Sequence, residues 1–456
     1  MSRRRNCLLS RLYGKTYRDR NPASPQNYFI MLESNYNTIV ISDLAWGDSA
    51  KGKFSDFYAS KWADVIVRSQ GGNNAGHTVV IDGKKYAVRG LPSGVFTKNV
   101  LNVIGNGCVI NPIQMVQEIE YLKNNGITDF QLAISAHAHI ITEYHKQLDN
   151  DIEEYRIHKV KTTGNGIGPC YADKKYRLGI RMCDICYGTF EELSELVQDA
   201  ITAHSLYYEV NYIDALVNNL LEAGKRLKEY VCDTSLVLEK AINEHKNIVF
   251  EGAQGAMLDN DYGFYPYVTS SCPTSAGIAS GCGIPPKYID NVLGIVKAYS
   301  TRVGTGPFVT ELEDSELTNK IRETGHEYGT VTGRPRRIGW IDLFILKQAN
   351  RINGTTGLAI TLLDVLTGID KLKVCIGYKD KDGNNISSLP PRVQDLYECT
   401  PIYKEMEGWQ EDITHCKHFE DLPKQARTYI EYIEHFLDVD VEYISVGPDR
   451  NQIISK

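Results

Sequence analysis

Val40-Ile-Ser-Asp-Leu-Ala-Trp-Gly-Asp-Ser-Ala-Lys-Gly-Lys53 decides how the fold is read. An apolar run of strand length breaks at Trp46 into a glycine-bounded turn rich in lysine, and Phe54-Ser-Asp-Phe-Tyr-Ala-Ser60 then reads as the start of a helix. Such a turn aims backbone N–H groups at an anion. From Gly47 to Lys53 the spacing is G-x-x-x-x-G-K, that of a phosphate-cradling loop, except that Phe54 stands where a Ser or Thr usually meets magnesium. At background Gly and Lys usage that spacing arises by accident in roughly one chain of this size in ten. Asp48, inside the loop, adds weight. A carboxylate beside a phosphate cradle is costly unless a cation or a proton transfer uses it, so Asp48 reads as a magnesium ligand, a general base, or both.

Composition narrows the class. The 456 residues can bury a large core, as about three domains or one elaborated α/β domain. A net charge of -7 argues against a nucleic-acid-binding surface. Apolar runs stay at strand length, far below the ~18 residues of a membrane span, so a soluble protein is expected. Eleven scattered cysteines suggest reduced thiols in a cytosol-like compartment. Cys183-Asp-Ile-Cys186 lacks a second pair, and His415, Cys416 and His418 read as a solvated loop. Residues 1–35 form a basic N-terminal extension: Arg3, Arg4, Arg5, Arg11, Lys15, Arg18 and Arg20 are opposed only by Asp19 among the first thirty. This segment is expected to be disordered. Its arginines would suit organelle targeting, but no amphipathic pattern supports that, and a chain starting at Met31 would run straight into the first strand.

Further along, strands repeatedly end in small-residue turns. Asp64-Val-Ile-Val-Arg-Ser69 runs into Gln70-Gly-Gly-Asn-Asn-Ala-Gly-His-Thr78, where a His among glycines lies at the place α/β sheets bind ligands. Strands follow near Asn102 and Phe130, with helical spacing from Ile113 to Leu122 between them, the alternation of a mostly parallel sheet. Lys161-Thr-Thr-Gly-Asn-Gly-Ile-Gly-Pro169 offers hydroxyls and a cation but no helix-opening spacing, and reads equally as a surface loop. Thr189 to His245 shows amphipathic helices. Asn247-Ile-Val-Phe-Glu-Gly-Ala-Gln-Gly255 returns to strand then glycine, Tyr265 to Ser271 adds hydroxyls, and Val292 to Tyr299 is another strand. Gly329-Thr-Val-Thr-Gly-Arg-Pro-Arg-Arg337 packs three arginines into four residues held by Gly and Pro, suited to forked recognition of carboxylate or phosphate. Leu358 to Leu366 reads as a strand carrying Asp364, which could accept from the N1 and N2 edge of guanine or merely cap a turn. A hairpin near Lys379 to Asn385, a helix around Tyr429 to Phe436 and a strand at Val441, opening into Val446-Gly-Pro-Asp-Arg450, complete the chain.

Taken together these loops resemble the adenylosuccinate synthetase family. WGD-x-x-KGK, QGG-x-NAGHT, TTG-x-GIGP, EGAQG, YPYVTSS, KAYSTRVG, TGR-x-RR-x-GW, LDVL and VGPDR occur here in the family's order, from about Thr38 to the C-terminus. The resemblance implies one catalytic domain over 36–456. Its fold would be α/β, a mostly parallel central sheet flanked by helices and related to P-loop nucleotide-binding folds, with helical and small β subdomains. It implies a homodimeric ligase joining L-aspartate to IMP at the expense of GTP, with magnesium. The catalytic residues would be Asp48, His77 and Gln254, and the magnesium ligands Asp48 and the Gly76 carbonyl.

The remaining roles come by matched position. Gly47, Asp48, Ser49, Ala50, Lys51, Gly52, Lys53, Gly76, His77, Thr78 and Arg336 would line the GTP phosphates, and Leu362, Leu363, Asp364, Ser445, Val446 and Gly447 the guanine. IMP would meet residues 48–51, Asn74, Ala75, Gly76, His77, Thr163, Gln254, Thr269 and Arg334, with Arg177 lent across the dimer to the partner's monophosphate. Thr330, Val331, Thr332, Gly333, Arg334, Pro335 and Arg336 would form the aspartate loop.

Three departures from the family bear on these expectations. Ser49-Ala50 replaces Glu-Gly, Leu362 replaces a lysine before the guanine-binding acid, and Asn165 replaces a common basic residue. A phage-type relative taking dGMP toward 2-aminoadenine is one alternative, although Ser stands in that branch where this chain keeps Asp48. A GTP-binding or hydrolysing protein that has lost ligation is the other.

Overall fold

The computed structural model describes residues 37–74, 76–81, 84–206, 208–313, 315–329 and 333–456, with main chain alone for 77–81, 84 and 85. Expectations for residues 1–35, Ala75, Thr330, Val331, Thr332 and the side chains of His77 and Thr78 lie outside these.

Ten strands form the central sheet: β1 (Thr38–Asp43), β2 (Val65–Arg68), β3 (Leu101–Ile104), β4 (Gln131–Ser135), β5 (Val231–Cys232), β6 (Ile248–Glu251), β7 (Asn291–Lys297), β8 (Gly357–Thr361), β9 (Val441–Ser445) and β10 (Ile453–Ser455). Across the sheet the order is β10-β9-β8-β7-β1-β6-β2-β3-β4-β5, and only the edge strand β10 pairs antiparallel. This is the expected α/β architecture. Alternation along β1 explains the layering. Ile39 and Ile41 face one side, against Phe54, Tyr58 and Ala59 of helix α1 (Lys51–Lys61). Val40 faces the other, against Val237, Leu238 and Ala241 of the helix Thr234–Asn243.

A helical subdomain contains α2 (Pro112–Asn124), α3 (Glu143–Tyr155), α4 (Ile167–Tyr176), α5 (Phe190–Ala203) and α6 (Val210–Leu227). The apolar faces of α2, α5 and α6 meet in one cluster that includes Ile119, Val197 and Leu220. A small β subdomain is built on Lys371–Lys379, which pairs antiparallel with Thr400–Glu407. No helix among the described residues is long and apolar enough to cross a membrane.

Three local expectations need correction. The first helix opens at Lys51 rather than Phe54, because Ala50 adopts a left-handed φ of 61° and ends the turn there. The 161–169 stretch does open a helix: Gly166, at φ 74°, reverses the chain, and Pro169 falls in the first turn, where an amide N–H has no intrahelical use. The strand read over Leu358 to Leu366 stops at Thr361, since Leu362 turns left-handed at φ 57° and Asp364–Leu366 is a short 3-10 turn.

Candidate active site

Parallel strands bring their carboxyl ends to one edge of the sheet, and that edge carries most of the motifs. The 44–50 loop follows β1, 69–76 follows β2, 252–255 follows β6, 362–364 follows β8 and 446–450 follows β9. β1 is central, with β6 and β7 on its two sides. Its loop therefore sits in the middle of the others.

Asp43, which ends β1, organises the phosphate-type turn. Its carboxylate accepts from the Ala45 N–H at 2.7 Å, from the Ser49 hydroxyl, and from Lys51 Nζ at 3.3 Å. Asp43, Ser49 and Lys51 are all buried. Ser49 thus satisfies a buried acid, a job the Glu expected here from the resemblance could not do without placing two carboxylates together. Trp46 anchors the loop edge-on against Phe264 and Phe308. Gly255 lies beneath it: a Cβ there would be 2.5 Å from the Gly47 nitrogen and the Ala45 oxygen, so only glycine fits.

Asp48 leaves this turn in the left-handed region, φ 55°, with its side chain 41% exposed. Gln254 is also left-handed, at φ 57°, and its Nε2 donates to Asn74 Oδ1 at 3.4 Å. The Gln254 Oε1 is buried with no partner among the described residues. Gly47 and Gly71 both approach Gln254 closely enough that a Cβ on either would be 3.3 Å from it. Asp48, Gln254 and Asn74 thus come from three loops that pack on one another. Left-handed non-glycine residues cost about 1–3 kcal/mol each, and they concentrate at sites where geometry matters. Asp48, Ala50, Arg177, Gln254 and Leu362 account for five of the eleven among the described residues.

Arg336 closes the site from the other side. Its Nε lies 3.3 Å from Asp48 Oδ2, and its Nη1 donates to Glu327 Oε2 at 2.6 Å. Lys297 Nζ donates to Glu327 Oε1 at 2.9 Å, and the Tyr299 hydroxyl bonds the same oxygen. Burial alone would raise the Glu327 carboxyl, but Lys297 and Arg336 outweigh it and hold it below the usual range. Backbone bonds from Arg336 N to Glu327 O and from Gly329 N to Arg334 O pair 327–329 antiparallel with 334–336, which sets Arg334, Pro335 and Arg336 on one arm facing Glu327, Tyr328 and Gly329.

Residues expected at the guanine gather around Lys53, which departs from its own expected role. Its ammonium donates to Ser445 Oγ at 2.8 Å, Gly447 O at 2.6 Å and Gln452 O at 3.0 Å, and its backbone N–H bonds Ala50 O. None of its donors is left for a phosphate. Burial lowers the Lys53 ammonium to about 7, although Asp364 and Asp449 pull the other way. Asp364 is itself pushed up by burial, with Lys53 opposing. Nearby, Arg450 forks onto Asp56 of α1, with Nε to Oδ2 at 2.8 Å and Nη2 to Oδ1. Leu363 and Val446 are buried beside this turn in the large core.

Of the residues expected at the monophosphate, Thr163 and Arg177 belong to the helical subdomain. Thr163 is exposed in a loop clamped by α3: Asp149 accepts from the Thr162 hydroxyl and the Gly166 N–H, both at 2.9 Å, and Glu153 accepts from the Lys161 N–H at 2.6 Å. A Cβ on Gly168 would be 3.3 Å from Ser270 Oγ, which puts this loop next to Thr269. Arg177 caps α4 at φ 69°. Sequence reasoning misses Asp43, Asp56, Lys297, Glu327 and Arg450. Asp43 and Lys297 carry a usable signal, since each ends a strand just before a motif loop.

A doubly wound sheet with a phosphate-type turn, an acid inside it and a guanidinium hairpin above defines a nucleotide-dependent ligase of the P-loop-related α/β class. The family model for adenylosuccinate synthetase matches residues 40–454, and the chain belongs to the adenylosuccinate synthetase family. The adenylosuccinate synthetase of Limosilactobacillus reuteri is 49% identical over 425 residues, covering 92% of this chain and 97% of the relative. The structure of fully ligated adenylosuccinate synthetase from Plasmodium falciparum is 36% identical with a TM-score of 0.86, over 92% of this chain and all of that one. A cyanophage S-2L succinoaminodeoxyadenylate synthetase bound to dGMP and dATP has the same fold at 19% identity and TM-score 0.58, over 92% of this chain and 95% of its own.

Proposed function

We propose that this protein ligates L-aspartate to IMP, consuming GTP and releasing adenylosuccinate, GDP and phosphate in the AMP branch of purine biosynthesis. The observation that carries the reading is Asp48: a half-exposed carboxylate at the carboxyl end of the central strand, with Arg336 at 3.3 Å, in a loop packed on Gln254.

The oxygen on C6 of hypoxanthine is a poor leaving group, so an amine displaces it only after phosphorylation. Asp48 takes the N1 proton, O6 attacks the γ-phosphorus of GTP, and the bond from that phosphorus to the β-phosphate oxygen breaks, giving 6-phosphoryl-IMP and GDP. The aspartate amine then attacks C6 and gives up one proton. The C6–O6 bond breaks, and phosphate leaves with O6. Gln254, next to Asn74, touches the reacting base. Backbone N–H groups of the 47–52 turn and Lys51 offset charge on the phosphates. His77, at the start of the strand His77–Ile81, serves as the acid on the departing β-phosphate side, a role that rests on its matched position.

Magnesium fits this donor set. Asp48 and the Gly76 carbonyl supply only oxygen and a single charge, which suits an ion that takes its other ligands from phosphate and water. Bound there, it would neutralise charge on the transferring phosphoryl group. Asp364, Ser445 and Gly447 recognise guanine, and Arg334 and Arg336 pair the aspartate carboxylates. Thr163 and Thr269 flank the IMP monophosphate, and Arg177 reaches the partner's monophosphate in a homodimer. The absence of a described membrane-spanning helix and the bacterial relatives support work in the cytoplasm.

Incubation with IMP, aspartate and GTP, followed by product absorbance, tests the reading. Adenylosuccinate should form only with all three present. Turnover with dGMP alone as purine acceptor, or GTP hydrolysis that needs neither IMP nor aspartate, would replace it.

A further inference from the structure

A buried polar cluster outside the site centres on Asp173 of α4. Its Oδ2 accepts from the Tyr144 hydroxyl at 3.2 Å and faces His145 Nε2 at 3.1 Å, while Oδ1 faces His204 Nε2 at 2.7 Å. Tyr144, His145 and Asp173 are fully buried, and the His204 side chain is 19% exposed. His145 Nδ1 accepts the Thr142 backbone N–H at 3.0 Å, which leaves that nitrogen without a proton and makes Nε2–H the donor to Asp173. The two imidazoles bond opposite oxygens of the carboxylate instead of converging on a shared point. That is the geometry of a held acid, not of a metal centre.

Asp173 also shapes the turn that ends α4. Its main-chain oxygen accepts the N–H groups of Arg177, Leu178 and Gly179, the last two at 3.0 and 3.2 Å. Arg177 owes its left-handed position to this turn. Gly179 is pressed on His139, with room for no side chain: a Cβ there would be 2.4 Å from His139 Cδ2. At the other end of α4, Gly166 rests on the His145 backbone, where a Cβ would be 2.9 Å away, and Asp149 one turn along α3 holds the Thr162 hydroxyl. One rigid helix therefore links the 161–166 loop to Arg177, and Asp173 fixes that helix to α3 and to the end of α5.

We propose that Asp173, held by Tyr144, His145 and His204, is the positioning residue for Arg177 and the 161–166 loop, and so sets affinity for the purine monophosphate without touching it. This rests on the reading that Arg177 and Thr163 meet that group. Truncating His204 frees one carboxylate oxygen and lets α4 shift, which weakens a contact made by a guanidinium several bonds away. GTP and aspartate bind on other elements and are spared.

Steady-state kinetics of H204A, H204Q, D173N and R177A test it. H204A and D173N should raise KM for IMP about ten-fold while KM for GTP and aspartate stay within about two-fold. H204Q, which can still donate to Asp173, should restore most of the loss. Should D173N fail to fold, the half-buried His204 pair carries the test. Folded H204A with unaltered KM for IMP, beside an impaired R177A, overturns the positioning role alone. R177A with unaltered KM for IMP removes Arg177 from the site and the proposal with it.

Discussion

Arg336 stands between two acids but is bonded to them unequally: its Nε is 3.3 Å from Asp48 Oδ2 without hydrogen-bond alignment, whereas Nη1 donates to the buried Glu327 at 2.6 Å. Glu327 is thus the anchor, and Asp48 holds a loose ion pair that substrate can break. E327Q leaves Lys297 and Arg336 facing each other with no buried counter-charge. Breaking a buried pair costs about 3–5 kcal/mol. We expect a lower thermal midpoint and KM for aspartate raised at least about ten-fold, with KM for IMP little changed. Wild-type melting and aspartate kinetics in E327Q would refute the anchoring role.

Lys53 and the Asp56–Arg450 fork tie α1 to the turn that carries Ser445 and Gly447. The phosphate and base subsites we propose are therefore parts of one body. Charge-assisted, bidentate bonds of this kind fix direction as well as distance. R450A should raise KM for GTP several-fold while leaving KM for IMP and aspartate near wild type. A uniform change in all three would count against this coupling.

Ala50 holds a φ of 61° at the start of α1, a conformation that costs an L-residue roughly 1–2 kcal/mol and glycine little. A50G should therefore stabilise the protein by up to about 1 kcal/mol, after the greater freedom of glycine in the unfolded chain is deducted. Chemical denaturation measures this. A midpoint below wild type would show that the turn is not strained at Ala50.

The strands and their glycine-rich ends are legible in the sequence because parallel strands buried on both faces are short, apolar and abruptly terminated. Helix α1 is only half legible. Eight of its eleven residues are buried, including Lys51, Lys53, Ser55 and Asp56, so no apolar stripe marks its inner face. The partners that make this burial tolerable lie 392 and 394 residues away, at Ser445 and Arg450. Local pattern cannot announce such bonds, and for that reason the sequence points Lys53 at a phosphate. Glu327 escapes notice likewise, since a single acid before an arginine-rich turn looks like surface until the fold buries it.

His139 gives the stability a pH slope. Burial first, then Lys174 and Arg181, lower its imidazole to about 4, and burial lowers His145 in the same direction. In the unfolded chain both would titrate near pH 6.5. Between about 4 and 6.5 the unfolded state binds more protons, so stability rises with pH across that window and falls on acidification. Urea midpoints at pH 7 and pH 5 should differ in that sense, and H139Q should flatten the difference. An equal slope in H139Q would assign the effect elsewhere.

Isotope transfer reaches the chemistry itself. With IMP carrying oxygen-18 at C6, the proposed route through 6-phosphoryl-IMP sends that oxygen into the released phosphate, one label per adenylosuccinate formed, and D48N should abolish the transfer while remaining folded. Phosphate free of label, or D48N retaining appreciable transfer, would contradict the assignment of Asp48 as the base that makes O6 a nucleophile.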